Sequence, residues 1–333
     1  MVDVIVTFLY NTPVKTKLLE LLCKEKGEIV SGAKLSKELQ CSRNYVWKLV
    51  EQLKEEGVEI HSVNHKGYYV PKNSPNLFSF EIQENTKEKV NITVLKETTS
   101  TNKVLKEMAE KGADEKTVVF AEHQTHGRGR LGRTFYSPKG TGLYLSILLK
   151  PKKSLSDAMK ITTTAGVAVA RAVKDILGID LKIKWVNDLY LDNKKVCGIL
   201  SESAFDLESG SLSYCILGIG LNVFTPEDNF NEFKNIAGAL LNEEVNGTTL
   251  ARLSGSILNN FFELYKDMSN PEILEEYRNR SFLQGKNVTV VRGDESFDCE
   301  VIGISDDGEL LCKLSNGEEK AFISGEVRLD NYK

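Results

Sequence analysis

Seven consecutive residues restrict the fold more than any others: Gly127-Arg128-Gly129-Arg130-Leu131-Gly132-Arg133 sets three glycines and three arginines side by side. Neither a helix nor a buried strand tolerates this composition, since glycine weakens both and guanidinium groups cannot be buried without anionic partners. The segment has to be a loop. Strand-like runs at Thr117 to Ala121 and Leu143 to Leu149 frame it, so the loop hangs from a sheet. Glycines let backbone N–H groups approach a ligand, and arginine forks neutralise phosphate or carboxylate in pairs; the loop is built for anions. It is not a Walker A loop, because no Gly-Lys-Ser/Thr follows. It is not a dinucleotide fingerprint either, because the glycine spacing differs and no helix is capped there. An Arg-Gly-rich disordered tail would share the composition, but the loop occurs once and has strands on both sides.

At about 150 residues per domain, a chain of 333 residues divides into two or three domains. With 41% apolar and 27% charged residues, collagen-like, low-complexity and wholly disordered chains are excluded. No apolar run approaches the ~18 residues of a membrane span, and Met1 to Tyr10 has no basic region before its apolar stretch, so a soluble protein with no membrane partner and no export signal is expected. The six cysteines form no CxxC pair and no cluster with His61, His65, His123 and His126. They read as reduced thiols of a cytoplasmic protein, with no metal held by dedicated protein ligands.

Residues 14 to 70 predict three short helices and a hairpin. Leu18, Leu19, Leu21 and Leu22 mark the first helix, and Ala33, Leu35 and Leu39 mark the second, opened by Ser31. The third is capped by Ser42 and buries Val46, Leu49, Val50 and Leu53 at i, i+3, i+4 and i+7. Strands at Val58 to Val63 and Tyr68 to Val70 then flank an Asn64-His65-Lys66-Gly67 turn. This is the order of a winged helix-turn-helix, assigned to residues 1–72, with Arg43, Asn44, Lys48 and the wing-tip Lys66 directed at DNA. Residues 1–70 hold 10 basic against 9 acidic residues, so a three-helix protein-binding module is the alternative. Pro71 to Asn91 reads as a linker. A mixed α/β domain, residues 73–284, follows with balanced charge, 27 basic and 27 acidic residues in 71–284. Residues 285–333, with 6 basic and 11 acidic residues, alternate around turn signals as a small SH3-like β-barrel. The fold class is therefore multidomain α+β.

A second cluster, Lys184-Trp185-Val186-Asn187-Asp188 followed by Lys195-Val196-Cys197-Gly198-Ile199-Leu200, brings two lysines to one sheet edge beside Asn187 and Asp188, where a phosphate and its metal would fit; an ordinary solvated hairpin fits the same residues. Ser100-Thr101-Asn102 stands at a helix start, where capping is the simplest role, and Gln124 precedes the arginine loop. Several cations without a Ser-His-Asp set or zinc ligands suit the joining of a carboxylate to the α-phosphate of ATP, and equally suit tight binding of an anion without chemistry.

These motifs, in this order and over essentially the whole length, resemble the bifunctional biotin protein ligases that double as biotin operon repressors. The resemblance implies a class II synthetase-like core that makes biotinyl-5′-AMP from biotin and ATP with Mg2+. It also implies transfer of biotin to a lysine of a carboxylase carrier protein, and a ligand-bound homodimer that binds operator DNA. By motif, Ser100, Thr101, Asn102 and Gln124 line the biotin site with Arg128, Gly129, Arg130 and Lys195. The adenylate loop takes Gly127, Arg128, Gly129, Arg130, Gly132 and Arg133, with Asn187 and Asp188 beside it, and Arg130, Lys184 and Lys195 carry the catalysis. Two departures stand out: Val186 replaces the proline usual in Lys-Trp-Pro-Asn-Asp and is expected to loosen that strand end, and Phe135 replaces a tryptophan on the adenine side. A lipoate-protein ligase resembles the same core but would not carry the winged helix or the Gly-Arg-Gly-Arg form. A ligand-sensing transcription factor with an inactive core would not be expected to retain all the cations.

Overall fold

Three N-capped helices begin the described part of the chain: a computed structural model describes residues 12–151, 156–205, 212–224 and 237–329. Met1 to Tyr10, read above for export, lies outside the described residues. Helices α1 (Pro13–Cys23), α2 (Gly32–Glu38) and α3 (Arg43–Glu55) start at Thr12, Ser31 and Ser42, whose hydroxyls accept the N–H of Lys15, Lys34 and Tyr45. Their apolar stripes meet in one core of Leu18, Leu19, Leu22, Leu35, Val46, Leu49, Val50 and Leu53. Ala33, assigned to the second stripe, is exposed instead. Strands β1 (His61–Val63) and β2 (Gly67–Tyr69) form the wing. Gly67 is obligatory there: at φ 144° a Cβ would stand 2.1 Å from the Val30 carbonyl oxygen.

The stretch Pro71 to Asn91 is not a linker. Its prolines and asparagines make turns, but Phe78 packs in the winged-helix core while Leu77 and Ile82 pack in the central one. Helix α4 (Ser79–Glu84) lies between the two modules. Asn76 accepts the Glu59 N–H at 2.9 Å and donates to the Gly57 carbonyl at 3.1 Å. Lys26 reaches Glu81 at 2.6 Å and donates to Thr248 at 2.9 Å. Turn-forming residues signal a change of chain direction, and the apolar residues among them decide whether the segment is anchored.

The central domain comprises β3 (Asn91–Leu95), α5 (Thr101–Glu110), β4 (Thr117–Ala121), β5 (Gly142–Leu149), α6 (Ser156–Leu177), β6 (Lys182–Lys184), β7 (Asp188–Leu191), β8 (Lys194–Phe205), β9 (Leu212–Asn222), α7 (Gly247–Tyr265) and α8 (Pro271–Arg280). The seven strands run in the order β3-β4-β5-β9-β8-β7-β6, with β3 and β4 parallel and the other neighbours antiparallel. Strand alternation sorts the two faces. Val118, Phe120, Leu217, Ile219 and Leu221 share a core with α6 and α7, while Val119, Ala121 and Ile216 pack with Val104 and Leu105 of α5. Because α5 is short, it covers only part of the second face.

The C-terminal strands β10 (Asn287–Arg292), β11 (Glu295–Ile304), β12 (Leu310–Leu314), β13 (Glu319–Phe322) and β14 (Glu326–Leu329) pair antiparallel in the order β13-β12-β11-β10-β14. The expected barrel is thus a five-stranded sheet with β13 and β14 as edges, and no pairing between them closes it among the described residues. Its inward residues Val288, Val290, Val301 and Phe322 join the central core. The Trp185 indole donates to the Gly308 carbonyl at 2.9 Å, and Arg278 donates to that of Ile304 at 2.8 Å. The strand end at Val186 is held, not loosened. Val186 is buried after a cis Trp185–Val186 bond, and its carbonyl accepts the hydroxyl of the fully buried Tyr277 at 3.0 Å. Tyr277→Phe would leave that carbonyl without its partner; the expected loss is about 1 to 3 kcal/mol of stability, read as a lowered midpoint in thermal or urea unfolding.

Candidate functional site

The uncovered part of the second face holds a cavity of about 840 Å³, walled by β7, β8 and β9, the arginine loop and β14. Its floor depends on missing side chains. A Cβ at Gly218 would lie 2.3 Å from Asn102 Oδ1, and one at Gly220 would lie 2.5 Å from the Phe135 ring. Two glycines at period two on one strand face therefore let Asn102 and Phe135 lie flat on the sheet.

One end of the cavity is polar and neutral. Ser100, Thr101 and Asn102 are buried. Gln124 Oε1 accepts the Thr101 N–H at 2.9 Å and lies 3.1 Å from its hydroxyl, and Gln124 Nε2 donates to Ser137 at 2.9 Å. Ser146 Oγ lies 2.7 Å from Thr101 Oγ1 and 2.5 Å from Asn102 Oδ1. Asn102 Nδ2 donates to Glu202 Oε2 at 2.7 Å, and Glu202 Oε1 pairs with Arg128 at 3.1 Å. Capping does not explain Ser100, whose side chain makes no cap hydrogen bond at the start of α5.

The other end is cationic. Arg130 donates to Asn187 Oδ1 at 3.1 Å, Lys195 pairs with Asp188 at 2.7 Å, and Arg133 pairs with Glu326 of β14 at 2.6 Å. Lys184 faces the Tyr190 ring, its Nζ 5.7 Å from the centroid. Among the described residues, neither Arg130 nor Lys184 has a carboxylate in ion-pair range. Burial pushes both of their pKa values down, against the pull of Asp188 and Glu326. Burial pushes the Glu326 carboxyl up, but hydrogen bonds from Arg133 and Arg328 outweigh it and hold the group below its ordinary value. An anion entering this end would meet desolvated positive charge, which is the arrangement that binds and polarises phosphate.

Most of the residues read from the sequence converge here: Ser100, Thr101, Asn102 and Gln124 at the neutral end, Arg128, Gly129, Arg130 and Arg133 from the loop, and Lys184, Asn187, Asp188 and Lys195 from the hairpins. Gly127 and Gly132 do not line the cavity. A Cβ at Gly127 would strike the Phe135 carbonyl at 2.2 Å, and Gly132 turns the chain at φ 74°. Two backbone hydrogen bonds shape the loop: the Gly129 N–H donates to the Arg133 carbonyl at 2.7 Å, and the Phe135 N–H donates to that of Gly127 at 2.8 Å. Sequence reasoning missed Ser137, Ser146, Glu202 and the Gly218/Gly220 floor. The Gly-Ile-Gly alternation of β9 was the one available signal for the floor. Arg43, Asn44 and Lys48 on α3 and Lys66 on the wing are exposed, together with two aromatics not assigned to that face, Tyr45 and Trp47 at 45% and 54% exposure.

Fold and cavity together define a two-module architecture, a core with a cationic cavity carrying a helix-turn-helix module. Residues 94–222 match the biotin/lipoate A/B protein ligase family, residues 14–69 an HTH domain, and residues 284–330 the biotin protein ligase C-terminal domain. The chain is 33% identical to the bifunctional ligase/repressor BirA of Bacillus spizizenii over 96% of its own length and 99% of that protein. It is 29% identical to BirA of Escherichia coli over 96% and 98%. Among solved structures it is similar to the biotin protein ligase from Aquifex aeolicus in complex with biotin and ATP, at TM-score 0.59 and 29% identity, covering 72% of this chain and 98% of that one. The chain belongs to the biotin protein ligase family in its bifunctional ligase/repressor form.

Lys184 gives a test that does not depend on catalysis. A desolvated ammonium without a carboxylate in ion-pair range costs stability in full below its lowered folded pKa, and the cost fades as pH rises from there to the ordinary lysine value. Lys184→Met should therefore raise the thermal midpoint of the ligand-free protein by roughly 2 °C, with the advantage shrinking as pH rises through that pKa. In the same scan, stabilisation of the wild type by pyrophosphate should disappear in the variant.

Proposed function

We propose that this chain joins biotin to ATP, transfers the biotinyl group to a lysine of a carboxylase carrier protein, and represses biotin genes as a ligand-bound dimer. The observation that carries the reading is the division of one cavity into a neutral hydrogen-bonding end and a cationic end. Biotin has the matching halves, an uncharged ureido head and a carboxylate tail. With the head among Ser100, Thr101, Asn102 and Gln124, the tail points toward Arg130, Lys184 and Lys195. A carboxylate oxygen attacks the α-phosphorus of ATP, the bond to the β-phosphate oxygen breaks, and pyrophosphate leaves. The acceptor lysine amine then attacks the acyl carbon and AMP leaves, so no covalent enzyme intermediate is needed.

In this reading the cations stabilise charge that grows on the phosphoryl oxygens, and the Gly129 backbone lets the loop lie close to the adenylate. Phe135, flat on Gly198 and Gly220, supplies an apolar surface beside the nucleotide. Mg2+ is assigned to the triphosphate, with Asp188 and Asn187 as the oxygen-bearing side chains of the cavity beside it. No helix of the described residues is long and apolar enough to cross a membrane. A cytoplasmic site of action, where carboxylases, ATP and operator DNA coexist, is part of the proposal.

Arg130→Ala and Lys195→Ala should each slow biotin-dependent pyrophosphate release about a hundredfold, the cost of about 3 kcal/mol for losing a donor to developing charge. Rates within threefold of wild type for both would reject these assignments. The repressor half has its own measurement. Operator binding by fluorescence anisotropy should tighten with biotin plus ATP, because a module with nearly balanced charge needs a partner at fixed half-site spacing. Unchanged affinity with and without ligands would remove the repressor reading and leave the ligase one.

A further inference from the structure

Six residues at the neutral end form one hydrogen-bonded chain, Ser137, Gln124, Thr101, Ser146, Asn102 and Glu202, joined between Gln124 and Thr101 through the Thr101 N–H, and Glu202 passes it to Arg128 in the loop. Counting protons gives the chain a direction. A carboxylate only accepts, so the contact to Glu202 fixes the Asn102 amide with Nδ2 toward Glu202 and Oδ1 toward Ser146. An amide oxygen also only accepts, which commits the single hydroxyl proton of Ser146 to Asn102. The Ser146 oxygen then presents lone pairs to Thr101, and the Thr101 hydroxyl proton goes to Ser146. Gln124 Oε1 keeps the Thr101 N–H as its donor, and Gln124 Nε2 is turned away to Ser137, whose own proton serves the Phe135 carbonyl at 3.0 Å. Thr101 Oγ1 and Gln124 Oε1 are thereby left with lone pairs for a ligand at the cavity wall.

We infer that Glu202, which does not itself line the cavity, is a positioning residue of the adenylation step: its carboxylate sets the acceptor polarity of the wall that meets the ureido N–H groups and holds Arg128 at the same end. The inference rests on the ligase reading above. Both tasks require two acceptor oxygens. A glutamine at this position must either turn its NH2 toward Arg128, which breaks the clamp, or turn it toward Asn102, which reverses the amide and with it the hydroxyl protons of Ser146 and Thr101.

The test measures biotin-dependent pyrophosphate release by the full-length protein with ATP and Mg2+. Glu202→Gln should raise the KM for biotin about tenfold while the KM for ATP stays within about twofold. Asn102→Asp should do the same, because two carboxylates then face each other. The pair Asn102→Asp/Glu202→Gln should recover most of the loss: the new amide donates to the new carboxylate, whose second oxygen still takes the Ser146 proton. A merely structural role for Glu202 would not produce that rescue. Thermal melts report folding, and if Glu202→Gln alone does not fold, Asn102→Asp against the pair decides. An unchanged biotin KM in Glu202→Gln, or a pair no better than its worse single variant, overturns the inference. A wild type that releases no pyrophosphate overturns the ligase reading and the inference with it.

Discussion

Crowded positive charge is the constraint that organises this protein. Arg128, Arg130, Arg133, Lys184, Lys195 and Arg328 all line one cavity, and three carboxylates answer them: Glu202, Asp188 and Glu326. Like charges at such spacing repel by kilocalories when partly desolvated, so the carboxylates have to be supplied by rigid elements. Each comes from a strand, β8, β7 and β14. The last of these belongs to the C-terminal sheet, so the Arg133–Glu326 contact makes that sheet a structural part of the cavity. Arg130 and Lys184 are left unanswered, and their charge is what an incoming anion would neutralise.

The cavity exists because the sheet is covered unevenly. Helices α6 and α7 bury the first face, whereas α5 buries only the part of the second face over β3, β4, β5 and the start of β9. Further along β9, Gly218 and Gly220 remove the side chains that would fill the space. The short neutral residues at the start of α5 and the aromatic ring after the arginine loop then rest on bare backbone. Burying Thr101, Asn102 and Ser146 at this point costs little because each has a partner within the hydrogen-bonded chain.

The winged helix, the anion loop and the two strands that frame it were legible in the sequence because each rests on local rules. Apolar periodicity placed Val46, Leu49, Val50 and Leu53 inward, and Ser31 and Ser42 cap as their positions imply. The motifs also placed most of the cavity residues, since glycine and arginine at those positions have few other uses. Helices α7 and α8 carry no chemical motif and drew no attention, although α7 supplies a large part of the core. Pro71 to Asn91 was misread because proline and asparagine reveal turns, whereas the anchoring by Phe78 and Ile82 depends on partners far away in sequence. Glu202 and Ser146 were invisible for the same reason. A serine on β5 and an acid on β8, on either side of β9, have no local signature, and their roles come from the register that brings them to Asn102.

The attachment of the winged helix shows what a buried ion pair contributes here. Lys26 and Glu81 have side chains only 11% exposed, and burial raises the Glu81 pKa despite the hydrogen bond and charge of Lys26. Desolvation therefore consumes much of the Coulombic gain, and an apolar contact of the same size would hold the two modules together at least as well. What the pair adds is direction. Lys26 meets Glu81 on α4, Thr248 at the start of α7 and the Phe78 ring at once, an arrangement available in one orientation of the module. Asn76 and Gly247 add backbone contacts that restrict it further. The exposed face of α3 is consequently fixed relative to the central sheet.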